Sequence, residues 1–104
     1  MTHFILRAYC GLNGPKGEQG SEDREALLAE ICRGFFPNGI TTYDAVGLWA
    51  GYGEERTVVV ELITTAEDLL RDRDLIRRLA AAYKMEAEQE AVLLTCQPID
   101  AELI

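Results

Sequence analysis

His3 is the chain's one imidazole, and Cys10, Cys32 and Cys96 are its thiols. A serine or thiolate nucleophile needs a base within hydrogen-bond reach, yet no Ser or Cys stands at a recognisable spacing from His3. If Cys10 ends a strand that begins near His3, the two lie roughly 20 Å apart, which argues against that couple. His3 beside carboxylates is a thin basis for a divalent-metal site, and a histidine on a sheet surface is the plainer expectation. Three thiols without a C-x-x-C pair fit neither a disulfide framework nor structural zinc. They are expected to fill core positions, as small apolar residues in a reducing, cytoplasmic compartment. No catalytic residue, metal or cofactor follows from these side chains.

Three other groupings carry chemistry of a weaker kind. The segment from Gly11 to Gly20 holds four glycines, a proline and Lys16, and exposed amides around Gly14, Lys16 and Gly17 could surround an anion. Its spacing matches neither phosphate-loop pattern, and Glu18, Glu22 and Asp23 would repel a phosphate, so a mobile connection is the simpler expectation. Tyr43, Trp49 and Tyr52 fall close together in sequence, and aromatics with a polar handle suit a protein interface. After Lys84 no basic residue occurs, whereas Glu86, Glu88, Glu90, Asp100 and Glu102 follow, and Glu54 and Glu55 stand next to Tyr52. Such carboxylates would steer the protein toward a basic partner. The candidate partner-binding residues are therefore Tyr43, Trp49, Tyr52, Glu54, Glu55, Glu86 and Glu90.

Composition bounds what these groups can serve. The chain has 104 residues, 48% hydrophobic and 27% charged, with a net charge of −8, a size and balance that suit one folded domain. Contact with nucleic-acid phosphates would be repulsive, and no direct nucleic-acid partner is expected. No apolar run approaches the roughly 20 residues needed to span a bilayer. The start Met1-Thr2-His3-Phe4 lacks the basic and apolar stretches of a signal peptide, so no membrane association is expected.

The elements that must position these residues can be read in order. From Thr2 to Cys10, Phe4, Leu6 and Ala8 alternate with His3, Ile5, Arg7 and Tyr9, which predicts a strand. Ser21, as the cap, with Leu28, Ile31 and Phe35 at helical spacing, predicts a helix over Glu22 to Phe35. Ile40 to Trp49 and Thr57 to Ile63 are β-branched and aromatic, and Ala50 to Arg56 joins them as a hairpin loop. Thr64 to Glu67 reads as a capping box, opening a helix through Leu69, Ile76, Leu79 and Tyr83 to Glu90. Arg71 to Asp74 would be its solvated face or a short break. Ala91 to Cys96 predicts a last strand, stopped at Gln97-Pro98.

Strand, helix, strand, strand, helix, strand is the split β-α-β, or ferredoxin-like, plan of an α+β domain. It has a four-stranded antiparallel sheet, both helices on one face, and the first and third strands in the centre. Two helices cover one face, so the other, with Ile5, Tyr9, Val59 and Ile63 on it, is too apolar to be left bare. A homo-oligomer, or a hetero-partner packed there, is expected.

The segments Gly47-Leu48-Trp49, Glu55 to Val60, Tyr83-Lys84 and Gln89 to Leu93 resemble a family of small bacterial proteins known as a domain of unknown function. The resemblance covers about the last two-thirds of the chain, implies the same fold and carries no catalytic residues. More distantly the arrangement is similar to the PII and CutA-like proteins, ferredoxin-like subunits that form trimers. The leading functional expectation is a non-enzymatic, acidic binding or regulatory module acting by protein-protein contact. An inhibitor of a nucleic-acid-binding host protein, carried by a phage or mobile element, would fit it. The alternatives are an oligomeric small-molecule or metal-ion sensor of PII or CutA type, and a small enzyme with a pocket at the sheet interface.

Overall fold

A computed structural model describes residues 2–49 and 53–104. The elements run β1 (His3–Gly11), α1 (Ser21–Phe35), β2 (Thr41–Trp49), β3 (Gly53–Thr65), α2 (Leu69–Glu86) and β4 (Leu93–Ile99). The strands lie in the order β2-β3-β1-β4, every neighbour antiparallel. This is the ferredoxin-like α+β plan, with β1 and β3 in the centre. Leu6, Ala8 and Cys10 of β1 and Val58 and Val60 of β3 point to the helices and are buried. Against them pack Leu28 and Cys32 of α1 and Ile76, Leu79 and Tyr83 of α2, closing one apolar core.

Several element boundaries depart from the sequence expectations, each for an identifiable reason. Strand β3 begins at Gly53 and pairs with β2 out to Trp49 opposite Gly53, so the Gly53 to Arg56 part of the expected loop is strand, and residues 50–52 lie outside the described residues. The expected capping box at Thr64 does not form, because Thr64 belongs to β3 and donates its hydroxyl hydrogen to Asp72 Oδ2 at 2.5 Å. The first helical turn is held one residue later, where the Asp68 amide donates to the Thr65 hydroxyl at 3.2 Å. Asp72 is consequently buried rather than on a solvated face. Helix α2 stops at Glu86 instead of Glu90. Glu88 turns left-handed with φ 55°, and the Gln89 amide donates back to the Lys84 carbonyl at 2.9 Å, the closing bond of a Schellman turn.

Two further expectations fail at the first helix and the last strand. Ser21 is inside α1 rather than its cap; Gly20 caps it with φ 84° and no side-chain bond, a conformation open to glycine at little cost. Strand β4, the outermost on its side, runs through Pro98, which pairs with Phe4 of β1. There a missing N–H can face away from the ladder. Cys96 shares that edge and is exposed, so it is not a core thiol, while Cys10 and Cys32 are buried as expected. No helix among the described residues is long and apolar enough to cross a membrane.

Candidate functional site

Register assigns each strand residue to a face, since directly paired residues point the same way. The face away from the helices carries the rows Thr41-Glu61-Arg7-Thr95, Tyr43-Val59-Tyr9-Leu93 and, without β2, Ile63-Ile5-Gln97. The expected apolar set Ile5, Tyr9, Val59 and Ile63 is therefore together on the open face. It is not uniformly bare. Val59, between Tyr9 and Tyr43, is only 1% exposed.

A polar group crosses the middle of this face. Arg7 Nε donates to Glu61 Oε1 at 2.8 Å, and the Tyr43 hydroxyl donates to the same oxygen at 3.2 Å. The bond to Glu61 stabilises the guanidinium charge and raises the pKa of Arg7. Both partners are about four-fifths buried before anything is placed over the sheet. Sequence reading had Tyr43 as an interface aromatic but missed Arg7 and Glu61. The signal was an Arg and a Glu at the centre of two otherwise apolar strands.

The second region is a ribbon. Pairing of β1 with β3 ends at Gly11 opposite Thr57, and the Leu12 amide adds a last bond to the Arg56 carbonyl at 2.9 Å. Beyond it, Gly53 to Glu55 pair only with Gly47 to Trp49, as a two-stranded projection. On its other face Val46 and Leu48 are 63% and 75% exposed. Tyr52 and the side chain of Trp49 lie outside the described residues. Tyr43 and the backbone of Trp49 are six residues apart on one strand, about 20 Å.

Gly14, Lys16 and Gly17 lie in a folded turn. Gly14 donates its amide hydrogen to the Gly17 carbonyl at 2.8 Å, and Gly17 returns the bond at 3.0 Å, so neither amide is turned to an anion. The turn is held by Arg24, whose Nε donates to the Leu12 carbonyl at 2.7 Å and whose Nη2 donates to the carbonyls of Gly17 and Gln19. A Cβ on Gly14 would stand 2.7 Å from that guanidinium. The expected mobile connection is thus an anchored loop.

The acidic candidates divide. Glu55 is turned inward, its Oε2 accepting from the Asn13 amide at 3.0 Å, and Gln89 donates to the Asn13 carbonyl at 2.6 Å. Glu54, Glu86 and Glu90 are exposed. Asn13 therefore draws the base of the ribbon and the end of α2 to one end of the molecule.

His3 stands on the open face and accepts or donates at Nδ1 with the Thr2 hydroxyl, 2.8 Å away. Cys10 lies at the other end of β1 and points into the core, so the two do not meet. Burial pushes the Cys10 thiol up to about 12 and raises Cys32 as well, which keeps both protonated near neutrality. Among the described residues, no three His, Cys, Asp or Glu side chains are grouped to hold a metal ion. A cleft of about 300 Å³ runs between α1 and the edge strand β2. Leu28, Cys32 and Val58 are among the apolar residues lining it, with Glu25 and Asp44. Arg56 pairs with both carboxylates, at 2.6 and 3.7 Å.

A split-sheet α+β domain with one open face is the class these features define. The chain belongs to a family described as a protein of unknown function, DUF3574, whose model matches residues 7–103. No curated protein matches it. Among solved structures it is similar to a phage SAM lyase in complex with S-methyl-5'-thioadenosine. The identity is 16% and the TM-score 0.61, over 92% of this chain and 81% of that one. It is also similar to a phage SAM lyase in the apo state, at 22% identity and a TM-score of 0.59, over 90% and 78% of the two chains. At these identities the likeness is one of fold.

Proposed function

We propose that this chain is a non-catalytic binding or regulatory module that works by protein-protein contact through the β2-β3 ribbon. The exposure of Val46 and Leu48 carries this reading. A two-stranded ribbon is marginally stable by itself, and its two exposed aliphatic side chains, Val46 at the base and Leu48 farther out, take no part in the packed core of the described residues. Glu54 lies opposite Leu48 on the same ribbon, and Glu86 and Glu90 are exposed at the end of α2. A partner with an apolar contact and a basic rim fits that arrangement. The narrower reading, an inhibitor of a nucleic-acid-binding host protein, draws on net charge alone.

The test is capture from lysate with three immobilised proteins: the wild type, Val46→Glu with Leu48→Glu, and Glu54→Lys with Glu86→Lys and Glu90→Lys. All these sites are exposed, so Tm should move by only a few degrees in either variant. The apolar change is expected to abolish capture of the specific partner, and the charge reversal to weaken it at least tenfold. Capture that survives both variants would overturn the reading.

The cleft between α1 and β2, which lies within one chain, favours a second reading, as a small-molecule-binding domain. Its volume is that of a small ligand site. Since a phage protein of this fold holds S-methyl-5'-thioadenosine, that compound is the first probe. A concentration-dependent rise in Tm would support this reading, and no rise at millimolar ligand would count against it.

A further inference from the structure

We infer that the open sheet face is a dimerisation surface, packed on the same face of a second copy with the two-fold axis running along the strands. The inference does not depend on the ribbon reading, which concerns a different surface.

Charge identifies the occupant. At a net charge of −8, two copies repel unless they meet where the charge is missing. Of the 18 acidic residues, the strand registers set only Glu55 and Glu61 on this face. Glu61 is matched by Arg7, and Glu55 sits at the base of the ribbon, away from the middle. A basic partner gains little from so neutral a surface. A second copy meets it without that repulsion and buries the apolar rows.

The register then selects the axis. Nine residue pairs join β1 and β3, from His3-Thr65 to Gly11-Thr57, and Arg7-Glu61 is the fifth. The ion pair therefore marks the middle of the two central strands. Stacked sheets lie about 10 Å apart. Rotation about an axis along the strands exchanges left and right but keeps height, so β1 lies over the second copy's β3. Each Arg7 then faces Glu61 of the partner subunit, and its two terminal nitrogens can bond across the layer. An axis across the strands would set Arg7 over the partner's Arg7, placing like charges in a desolvated layer.

The apolar rows agree with that choice. Tyr43 and Leu93 end the row Tyr43-Val59-Tyr9-Leu93 on opposite edges and are 41% and 55% exposed. Reversal of the row sets Tyr43 over Leu93 of the partner subunit. It likewise sets Ile63 over Ile5 of the partner subunit. Sheet twist turns the two layers by about 30°, which disturbs the corners of the face and leaves its centre in register. Four strands at about 4.8 Å and nine residues at about 3.4 Å give a face on the order of 600 Å². That is below the roughly 800 Å² per partner of a standard interface, so a dimer dissociating in the micromolar range is expected.

Sedimentation equilibrium on three chains tests this. The wild type is expected to be dimeric at tens of micromolar, and Arg7→Glu and Glu61→Arg each monomeric. An equal mixture of the two variants restores opposite charges across the interface and is expected to form a heterodimer. A monomeric or trimeric wild type, or a mixture that stays monomeric, would each overturn the inference.

Discussion

The Tyr83 hydroxyl donates to the Gly11 carbonyl at 2.5 Å, at the point where β1 leaves the sheet, and Cys10 lies beside that bond. Burial raises the pKa of both side chains; Cys10 goes from 9.0 to about 12, and Tyr83 rises above its usual 10.0 with the neighbouring thiol adding to the shift. The folded state therefore holds these protons more tightly than the unfolded chain does. Stability is fully present below the unfolded values and is lost as pH climbs through them toward the folded ones. Tm is expected to be flat on this account from pH 7 to near 9 and to fall progressively above it. Cys10→Ala should flatten the first part of the decline, while Tyr83→Phe should cost about 1–3 kcal/mol by orphaning the Gly11 carbonyl. Melts across that range check both; a wild-type Tm unchanged up to pH 11 would contradict the assignment.

At the scale of elements, Arg24 is an organising side chain. Its guanidinium serves three carbonyls of the segment between β1 and α1, while Gln89 and Glu55 fasten Asn13. Arg24→Met keeps the aliphatic stem and removes those bonds. It is expected to cost about 1.5–3 kcal/mol, the range for hydrogen bonds to charged groups, and to make residues 13–20 the first site of limited proteolysis. Cleavage at the wild-type rate would show that the loop holds itself.

The same segment shows what a sequence does and does not display. Alternation of Leu6 and Ala8 with Arg7 and Tyr9, and the spacing of Ile76, Leu79 and Tyr83, are local periodicities imposed by the core, so the plan of the fold was legible. The loop was not, because glycine content advertises freedom, whereas the restraint comes from an arginine inside the next helix. Thr64 was misread for the same reason. Its hydroxyl has a partner eight residues on, Asp72, rather than the local amide that a capping pattern assumes. Pro98 reads as a stop only if its strand is taken to be interior. Of the candidate site, the apolar open face was legible from alternation, but the Arg7-Glu61-Tyr43 group required the register between strands distant in sequence.

For the whole molecule, the distribution of charge separates the two kinds of association by their response to salt. Most of the 18 acidic residues lie off the open face, so in a face-to-face dimer they repel one another through solvent. Added salt screens that repulsion, with a Debye length falling from about 30 Å at 0.01 M to about 10 Å at 0.1 M. The Arg7-Glu61 contacts, enclosed between the sheets, are screened far less. Self-association is therefore expected to tighten several-fold as sodium chloride rises from low to physiological concentration. Binding of a basic partner to Glu54, Glu86 and Glu90 depends on exposed opposite charges and should weaken over the same range. Sedimentation and partner capture in parallel salt series check the two slopes. A dimer that dissolves as salt is added would mean that the copies meet through exposed opposite charges rather than through the neutral sheet.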